Sequence, residues 1–351
     1  KITGVATTDI DFYQRVPSVG VSKTPDFNYA LVVGENFQIK SNVSNINFLT
    51  EDLIDFTVSS SLDPTEVTVY LLKKTRKAIS STINTTTLTF TTPEEFATRT
   101  ISSANLIGIL DIVDSDGNTW YEADYLGQEL VFDSIKNTNP NDPNNYTDES
   151  SVPYLLQTKQ VERRFATRFL DASTLQIQFG AGKSNDTTEE VIPNSDNVGL
   201  GLPFKKDKLT TAYSPLNFIF NNTYGIAPSN TTLTVRYLTG GGIGANVPSN
   251  TLTTLVNTNV VSFANFSSTD PTGDYQAAFN SLAVSNPNAA SGGGDGDSTE
   301  ELRQNIISSY GTQMRNVTLD DYLVRALSLP SEYGQVAKAY IENSKVSTEN
   351  N

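Results

Sequence analysis

No cysteine and no histidine occur in the 351 residues, and methionine and tryptophan occur once each. The missing thiols and imidazoles exclude disulfides, cysteine nucleophiles, Cys/His zinc sites, Ser-His-Asp triads and histidine general bases together. A disulfide-stapled secreted scaffold goes with them. Long apolar runs are also missing. No stretch approaches the roughly 18 residues of a membrane span, and the first thirty residues lack the basic segment and apolar run of a signal peptide. The chain is therefore expected to be soluble, with no membrane partner. It begins at Lys1, which reads as a fragment or a processed product. Basic residues are outnumbered, 24 against 39 acidic, for a net charge of −15. Such a chain repels phosphate backbones, so nucleic acid is not an expected partner.

Two basic clusters stand against that background, Lys73-Lys74-Thr75-Arg76-Lys77 and Lys205-Lys206-Asp207-Lys208. They read as a solvated strand end or loop, or else as docking points for an acidic partner. Asn-X-Ser/Thr triplets such as those at Asn84, Asn145 and Asn230 follow from a composition rich in these residues.

What is present is mostly strand pattern. Residues 1–60 alternate apolar and polar positions in short runs, as at 29–33 and 36–39, punctuated by Gly20, Pro25 and Gly34. The β-branched run 67–72 predicts a strand. Thr92-Pro93-Glu94-Glu95 predicts a helix running to about Ser103, with Thr at the cap and Pro in the first turn. Asp116-Gly117 between 106–113 and 119–125 predicts a hairpin, because both turn residues tolerate positive φ. A second hairpin is predicted for 163–170 and 175–179, and further strands for 216–220, 231–238 and 256–263. The Pro/Asn run 137–152 reads as a surface excursion or a domain edge. Residues 274–285 predict a short helix through Ala277, Ala278, Leu282 and Ala283.

Residues 286–341 predict a Gly-rich linker, two short capped helices and a strand over 336–341. Ser298 and Glu301 have capping-box spacing. Thr318 and Asp321 repeat it, with Asp in place of the usual Glu or Gln, so that box is expected to be the weaker. Val317 and Tyr322 stand where a hydrophobic staple would close. Leu302, Ile306, Ile307, Leu319, Tyr322, Leu323 and Leu327 are expected to be buried, because helices of about three turns are unstable alone in water. They would pack on each other and on the strand, with Tyr322 or Leu323 near a contact with a second subunit. Gly292, Gly293, Gly294 and Gly296 make the linker a candidate hinge.

Strands precede helices, so the fold class is α+β: a predominantly antiparallel β body with a small C-terminal unit of two helices and a strand. The divisions read from the sequence are 1–60, the end of a preceding strand-rich module; 61–150, β-rich with one helix; 151–265, β-rich; and 266–351, helical.

Candidate chemistry is sparse. Asp114-Ser115-Asp116-Gly117-Asn118 superficially suits calcium, but an EF-hand needs Gly sixth and Glu twelfth. Here Gly is fourth and Tyr125 is twelfth, so a hairpin turn is the reading. Asp295 and Asp297 are too few for a dedicated cation site. Gly240–Gly244 lacks the Gly-Lys-Ser/Thr of a phosphate loop. Trp120, on a predicted strand, suits core or interface packing better than a ligand platform. No catalytic, metal or cofactor residue is predicted. A two-carboxylate hydrolase is not excluded by composition, but nothing points to a particular pair.

Several pieces occur in a telling order: 178–182 (QFGAG), 224–228 (YGIAP), 233–237 (LTVRY), 240–248 (GGGIGANVP), NPNAASGGGDGDSTEELR from Asn286, RNVTLDDYL from Arg315, and QVAKAYI from Gln335. Their order resembles the baseplate J-like family, structural proteins of contractile phage tails and related injection machines. Residues 116–128 (DGNTWYEADYLGQ) are similar to the wedge proteins within it. The likeness covers about residues 100–341. It implies a non-enzymatic wedge component that forms homodimers, joins them into a ring around a hub, binds other wedge proteins and moves on host contact. The alternative from the residues alone is a β-rich surface adhesin or carbohydrate-binding module.

Overall fold

The computed structural model describes residues 2–19, 24–57, 61–64, 69–136, 154–182, 224–257, 261–263, 273–313, 315–329, 334–336 and 338–342. Strands dominate, and most pairs are antiparallel, in keeping with a β-dominant α+β class. In chain order they are β1 Thr7–Val19, β2 Thr24–Pro25, β3 Leu31–Val33, β4 Gln38–Ser41, β5 Asn47–Thr50, β6 Ile54–Asp55, β7 Ser61–Pro64, β8 Val69–Ile79, β9 Ser81–Phe90 and β10 Thr98–Ser102. Then come β11 Leu106–Val113, β12 Thr119–Glu122, β13 Leu130–Lys136, β14 Tyr154–Gln160, β15 Arg164–Asp171, β16 Thr174–Phe179, β17 Thr231–Gly240, β18 Leu252–Leu255, β19 Val261–Phe263 and β20 Ala283–Ser285. The helices are α1 Asp274–Asn280, α2 Thr299–Thr312 and α3 Leu319–Leu327.

The chain groups into two compact units rather than four successive segments. Unit 1 comprises residues 1–83, 104–108 and 238–351; unit 2 comprises 84–103 and 109–237. Long-range pairing is the reason. β1 pairs along most of its length with β8 and also with β20, so residues 1–60 belong to the centre of a sheet that the far end of the chain helps to build.

Unit 1 holds an eight-stranded sheet, β18-β4-β5-β8-β1-β2 with β20 on β1 and β7 on β8, and a three-stranded sheet, β19-β3-β6. Period-2 alternation along β1 turns Ile10, Phe12 and Val16 inward, where they meet Phe37, Ile39, Phe48 and Phe56. Gln14, on the same buried face, is satisfied by the chain it faces: its amide donates to Tyr29 O and accepts from Leu31 N. A buried polar group needs such partners to avoid a desolvation cost of about 1–3 kcal/mol. Helix α1 closes this core with Ala278, helped by partly buried Tyr275 and Phe279.

Unit 2 carries the sheet β10-β16-β15-β12-β11-β17-β9 and a separate ribbon, β13-β14. Its core gathers Phe90, Trp120, Phe165, Ile177, Phe179, Leu233 and Val235. Trp120 and Phe90 both meet the Phe179 ring edge-on, with centroids 5.5 and 5.4 Å away. Both predicted hairpins form. Asp114 organises the first, its Oδ1 accepting from the backbone N–H of Asp116 and Asn118. The second is β15 on β16.

Four readings from the sequence are corrected. The helix predicted over 92–103 is absent. Phe96 has φ +49°, off the helical path, and Thr98, Thr100 and Ile101 join β10, pairing with β16 from Thr98↔Gln178 to Ser102↔Thr174. β-branched residues beside a free sheet edge outweigh a Thr-Pro-Glu-Glu start. The helix at 274 stops at Asn280, and 283–285 turn into a strand against β1. No strand ladder forms over the described residues of 336–341; the register there is set by a single backbone bond, Gln335 N to Gly292 O, at 2.8 Å. The apolar residues of α2 and α3 are not buried: Leu302, Ile306, Ile307, Leu319 and Tyr322 are exposed, and Leu323 and Leu327 are partly so. The excursion at 137–152, the strand at 216–220 and the basic cluster at 205–208 lie outside the described residues.

Candidate functional site

Five of the seven segments singled out by order in the sequence meet at two backbone crossings. The first, within unit 1, brings together Gly4, Gly241, Gly242, residues 291–295 and Gln335. Gly4 N donates to Gly294 O at 2.8 Å, and Gly242 N donates to Gly4 O at 3.0 Å. Thr7 and Ser291 exchange both backbone bonds, at 2.8 and 3.0 Å. Asn246 clips the glycine run from the side, its amide donating to Gly293 O and accepting from Gly293 N. Asp295 Oδ1 accepts from Ile243 N at 3.2 Å.

Gln335 covers this crossing. Its side-chain amide donates to Asp295 O at 3.0 Å and to Ile2 O at 3.4 Å. A Cβ on Gly294 would lie 2.2 Å from its Oε1, and one on Gly4 2.6 Å from its Cγ. Gly293 is equally confined, with Gly242 O 2.6 Å from where its Cβ would be. Glycine at 293 therefore permits close approach of backbones, glycine at 4 and 294 leaves room for the Gln335 side chain, and the run at 292–294 is bonded to the body. Of the candidate hinge residues, Gly296 alone takes no part in these bonds.

Beside the crossing, Asn286 is fully buried and uses its whole amide. Its Oδ1 accepts from Thr251 N and Leu252 N, both at 2.9 Å, and its Nδ2 donates to Pro248 O and Asn288 O. One side chain thus fixes the 248–252 loop against 286–288. The Asn-Pro-Asn sequence suggests a turn, but nothing local reveals partners some 35 positions away, so sequence reasoning missed it.

The second crossing, within unit 2, is a neck where residues 180–182 meet 224–227. Gly182 and Ile226 form a parallel bridge, with Gly182 N to Gly225 O at 2.9 Å and Ala227 N to Gly182 O at 2.6 Å. Gly180 presses against this strand; a Cβ there would be 2.2 Å from Gly225 O. Beneath it lies Arg164, 2 % exposed, donating through Nε to Leu126 O and through Nη1 to Val161 O at 2.6 Å each. Burial pulls the guanidinium pKa down, and the charges of Glu129 and Glu162 oppose that pull. A buried arginine bonded to carbonyls pins loops without chemistry.

Leaving the first crossing at Asp295 and returning at Gln335, the chain makes α2 and α3. Both capping boxes are complete. Ser298 N donates to Glu301 Oε2 at 2.8 Å, and Asp321 Oδ2 accepts from both Thr318 N and Val317 N. Those bonds hold the Glu301 and Asp321 carboxyls below the usual carboxylate range. Acidic first turns, Glu300-Glu301 and Asp320-Asp321, add favourable interaction with the helix dipoles. The staple pair Val317 and Tyr322 remains exposed. Between the helices runs an apolar groove of about 580 Å³ lined by Leu302, Ile306, Tyr310, Val324 and Leu327, with Asp297 among the lining residues. Tyr322 and Leu323 do not line it.

Elsewhere, charged groups form structural pairs. Asp11 accepts from Lys73 Nζ at 2.7 Å, Thr75 Oγ1 at 2.6 Å and Tyr13 Oη at 3.2 Å. Burial pushes its carboxyl up, yet these donors hold it below the usual range. Lys73, from the first basic cluster, is thus a sheet partner. Arg236 grips Asp111 with two nitrogens. Asp114, shifted up by burial, is brought below the usual range by the bonds from Asn118 and Asp116 that make its turn. Trp120 is 4 % exposed in the core, so it is no ligand platform. Among the described residues no group of three or more Asp, Glu, His or Cys could hold a metal ion, and no helix is long and apolar enough to cross a membrane. Comparison with models of known families, with curated proteins and with solved structures finds no match to this chain.

Proposed function

We propose that this chain is a structural component of a contractile-tail baseplate wedge that works by assembly, resembling the baseplate J-like family and, over 116–128, the wedge protein of T-even-type phages. In this reading it pairs with itself, binds other wedge proteins to build a ring around the hub, and resides in the virion after assembly in the host cytoplasm. One observation supports it most. Five of the ordered segments that carry the resemblance meet at the Gly4–Gly294–Gln335 and Gly180–Gly225 crossings, where glycine leaves room for neighbouring backbone or the Gln335 side chain and, among the described residues, no reactive group is gathered. Segments used that way are scaffold. The exposed apolar residues of α2 and α3, among them Tyr322, suit association, because contiguous apolar surface marks contact sites.

Sedimentation of the full chain, alone and co-expressed with neighbouring tail proteins, tests the proposal. Dimers at about tens of micromolar or larger species with the neighbours are expected, a range typical of modest interfaces. Leu323→Asp, beside the proposed dimer contact, should shift the chain toward monomer. A monomer under both conditions that binds or cleaves a glycan would overturn the reading in favour of the adhesin or hydrolase alternatives.

A further inference from the structure

Two Asp-Gly bonds occur in the chain, Asp116-Gly117 and Asp295-Gly296, and no Asn-Gly. An Asp-Gly bond rearranges without any enzyme when its glycine nitrogen reaches the aspartate Cγ, because no Cβ on the second residue shields that nitrogen. Both pairs are exposed, so access of water does not separate them. Their hydrogen bonds do. In the β11–β12 turn Gly117 N donates to Asp114 O at 3.0 Å. The amides on either side, Asp116 N and Asn118 N, donate to Asp114 Oδ1 at 3.0 and 2.8 Å. The attacking nitrogen there is already engaged and must break a bond to react.

At the first crossing the arrangement is reversed. Asp295 is held at both ends, its carbonyl oxygen accepting from Gln335 Nε2 at 3.0 Å and its Oδ1 from Ile243 N at 3.2 Å. Gly296 N donates to no group among the described residues. Ile243 N also meets the carboxyl on which negative charge develops when Cγ is attacked, the use an oxyanion donor has. We infer that Asp295-Gly296 is a site of spontaneous backbone modification, converted to isoaspartate through a succinimide. A bond forms between Gly296 N and Asp295 Cγ, and the amide proton leaves with the hydroxyl of the protonated carboxyl as water. Water then adds back to the ring. Opening at Cγ restores aspartate, whereas opening at the original peptide carbonyl routes the main chain through Cβ and Cγ. Water is the only co-reactant, and the proximity of the two groups supplies the rest. In the product the main chain is one carbon longer between Gly294 and Gly296, and the former Oδ1 becomes a peptide oxygen. Residue 295 then loses its grip on Ile243 N, which loosens the root from which α2 and α3 depart. The inference stands apart from the assembly reading.

The full chain is held at near-neutral pH and physiological temperature, beside the same chain in urea, and isoaspartate is located by electron-transfer fragmentation of its peptides. In the folded chain residue 295 should accumulate it about fivefold faster than residue 116, the ratio that one backbone hydrogen bond of about 1 kcal/mol imposes on the rate. In urea both should convert at similar rates. Asp295→Glu, whose longer side chain must close a larger ring, should remove the signal at 295 and leave that at 116 unchanged. Hydrogen exchange on the aged chain should show the Ile243 amide losing protection in proportion to the isoaspartate at 295. Equal or faster conversion at 116 in the folded chain overturns the inference. So does a folded chain unmodified at 295 over the time in which the urea sample converts. An Ile243 amide that stays protected in the modified chain overturns the loosening of the root.

Discussion

Asp11 is a carboxylate inside a sheet, and its three donors come from its own strand and the neighbouring one. Because its folded pKa is depressed, the stabilisation it brings is fully present above the unfolded value, near about 3.9, and is lost as pH falls through the lower folded value. Asp114 adds to the same acid limb. Asp11→Asn should cost about 1–3 kcal/mol at neutral pH, the range for a buried partner left unsatisfied. It should also flatten the fall in thermal midpoint between about pH 5 and 3. An unchanged acid limb in the variant would show that other carboxylates carry it. Such single-residue roles are hard to read in a sequence. Lys73 looked like a solvated or docking charge because its partner, Asp11, is remote along the chain. Asn286 and Gln335 were invisible for the same reason, whereas Asp114, which binds its own turn, was placed correctly.

Elements with local chemistry were legible. Capping boxes at Ser298 and Thr318 and the Asp-Gly turn at 116–117 involve residues within a few positions of each other, so α2, α3 and the β11–β12 hairpin follow from the sequence. Thr92–Glu95 carried an equally local helix signal and failed, because β10 had a sheet edge to join. The glycines separate on the same principle. At Gly311, inside α2, no atom lies within 4 Å of an added Cβ. Gly311→Ala should therefore stabilise that helix by about 0.5–1 kcal/mol, through reduced freedom of the unfolded chain. Gly180→Ala meets Gly225 O at 2.2 Å and should cost about 2–4 kcal/mol by forcing the neck apart. Urea midpoints of the two variants should move in opposite directions. A Gly180→Ala midpoint equal to wild type would mean the neck yields at no cost.

At the scale of the whole molecule, the α+β class was readable from the succession of strands and helices, but the grouping of the chain was not. Read in order, residues 1–60 look like the end of another module. Pairing of β1 with β8 and β20 makes them a centrepiece instead, since two-periodic strands declare which face is buried and not which strand lies alongside. The helical pair was misjudged for a related reason. Its apolar pattern predicts burial, and a pattern cannot say whether the covering surface belongs to the same chain.

The nesting of unit 2 inside unit 1 also sets a timetable for biosynthesis. Domains fold as units while the chain emerges from its N-terminal end. The residues of unit 2 have all appeared by Tyr237, whereas unit 1 must wait for β18, β20 and finally Gln335. The early N-terminal strands must therefore keep their apolar faces out of trouble while an entire second unit is completed. A chain stopped at residue 240 should give protected amides in β15 and β16 and freely exchanging ones in β1. Equal protection of both would mean that the β1–β8 pairing stands without the strand that arrives last.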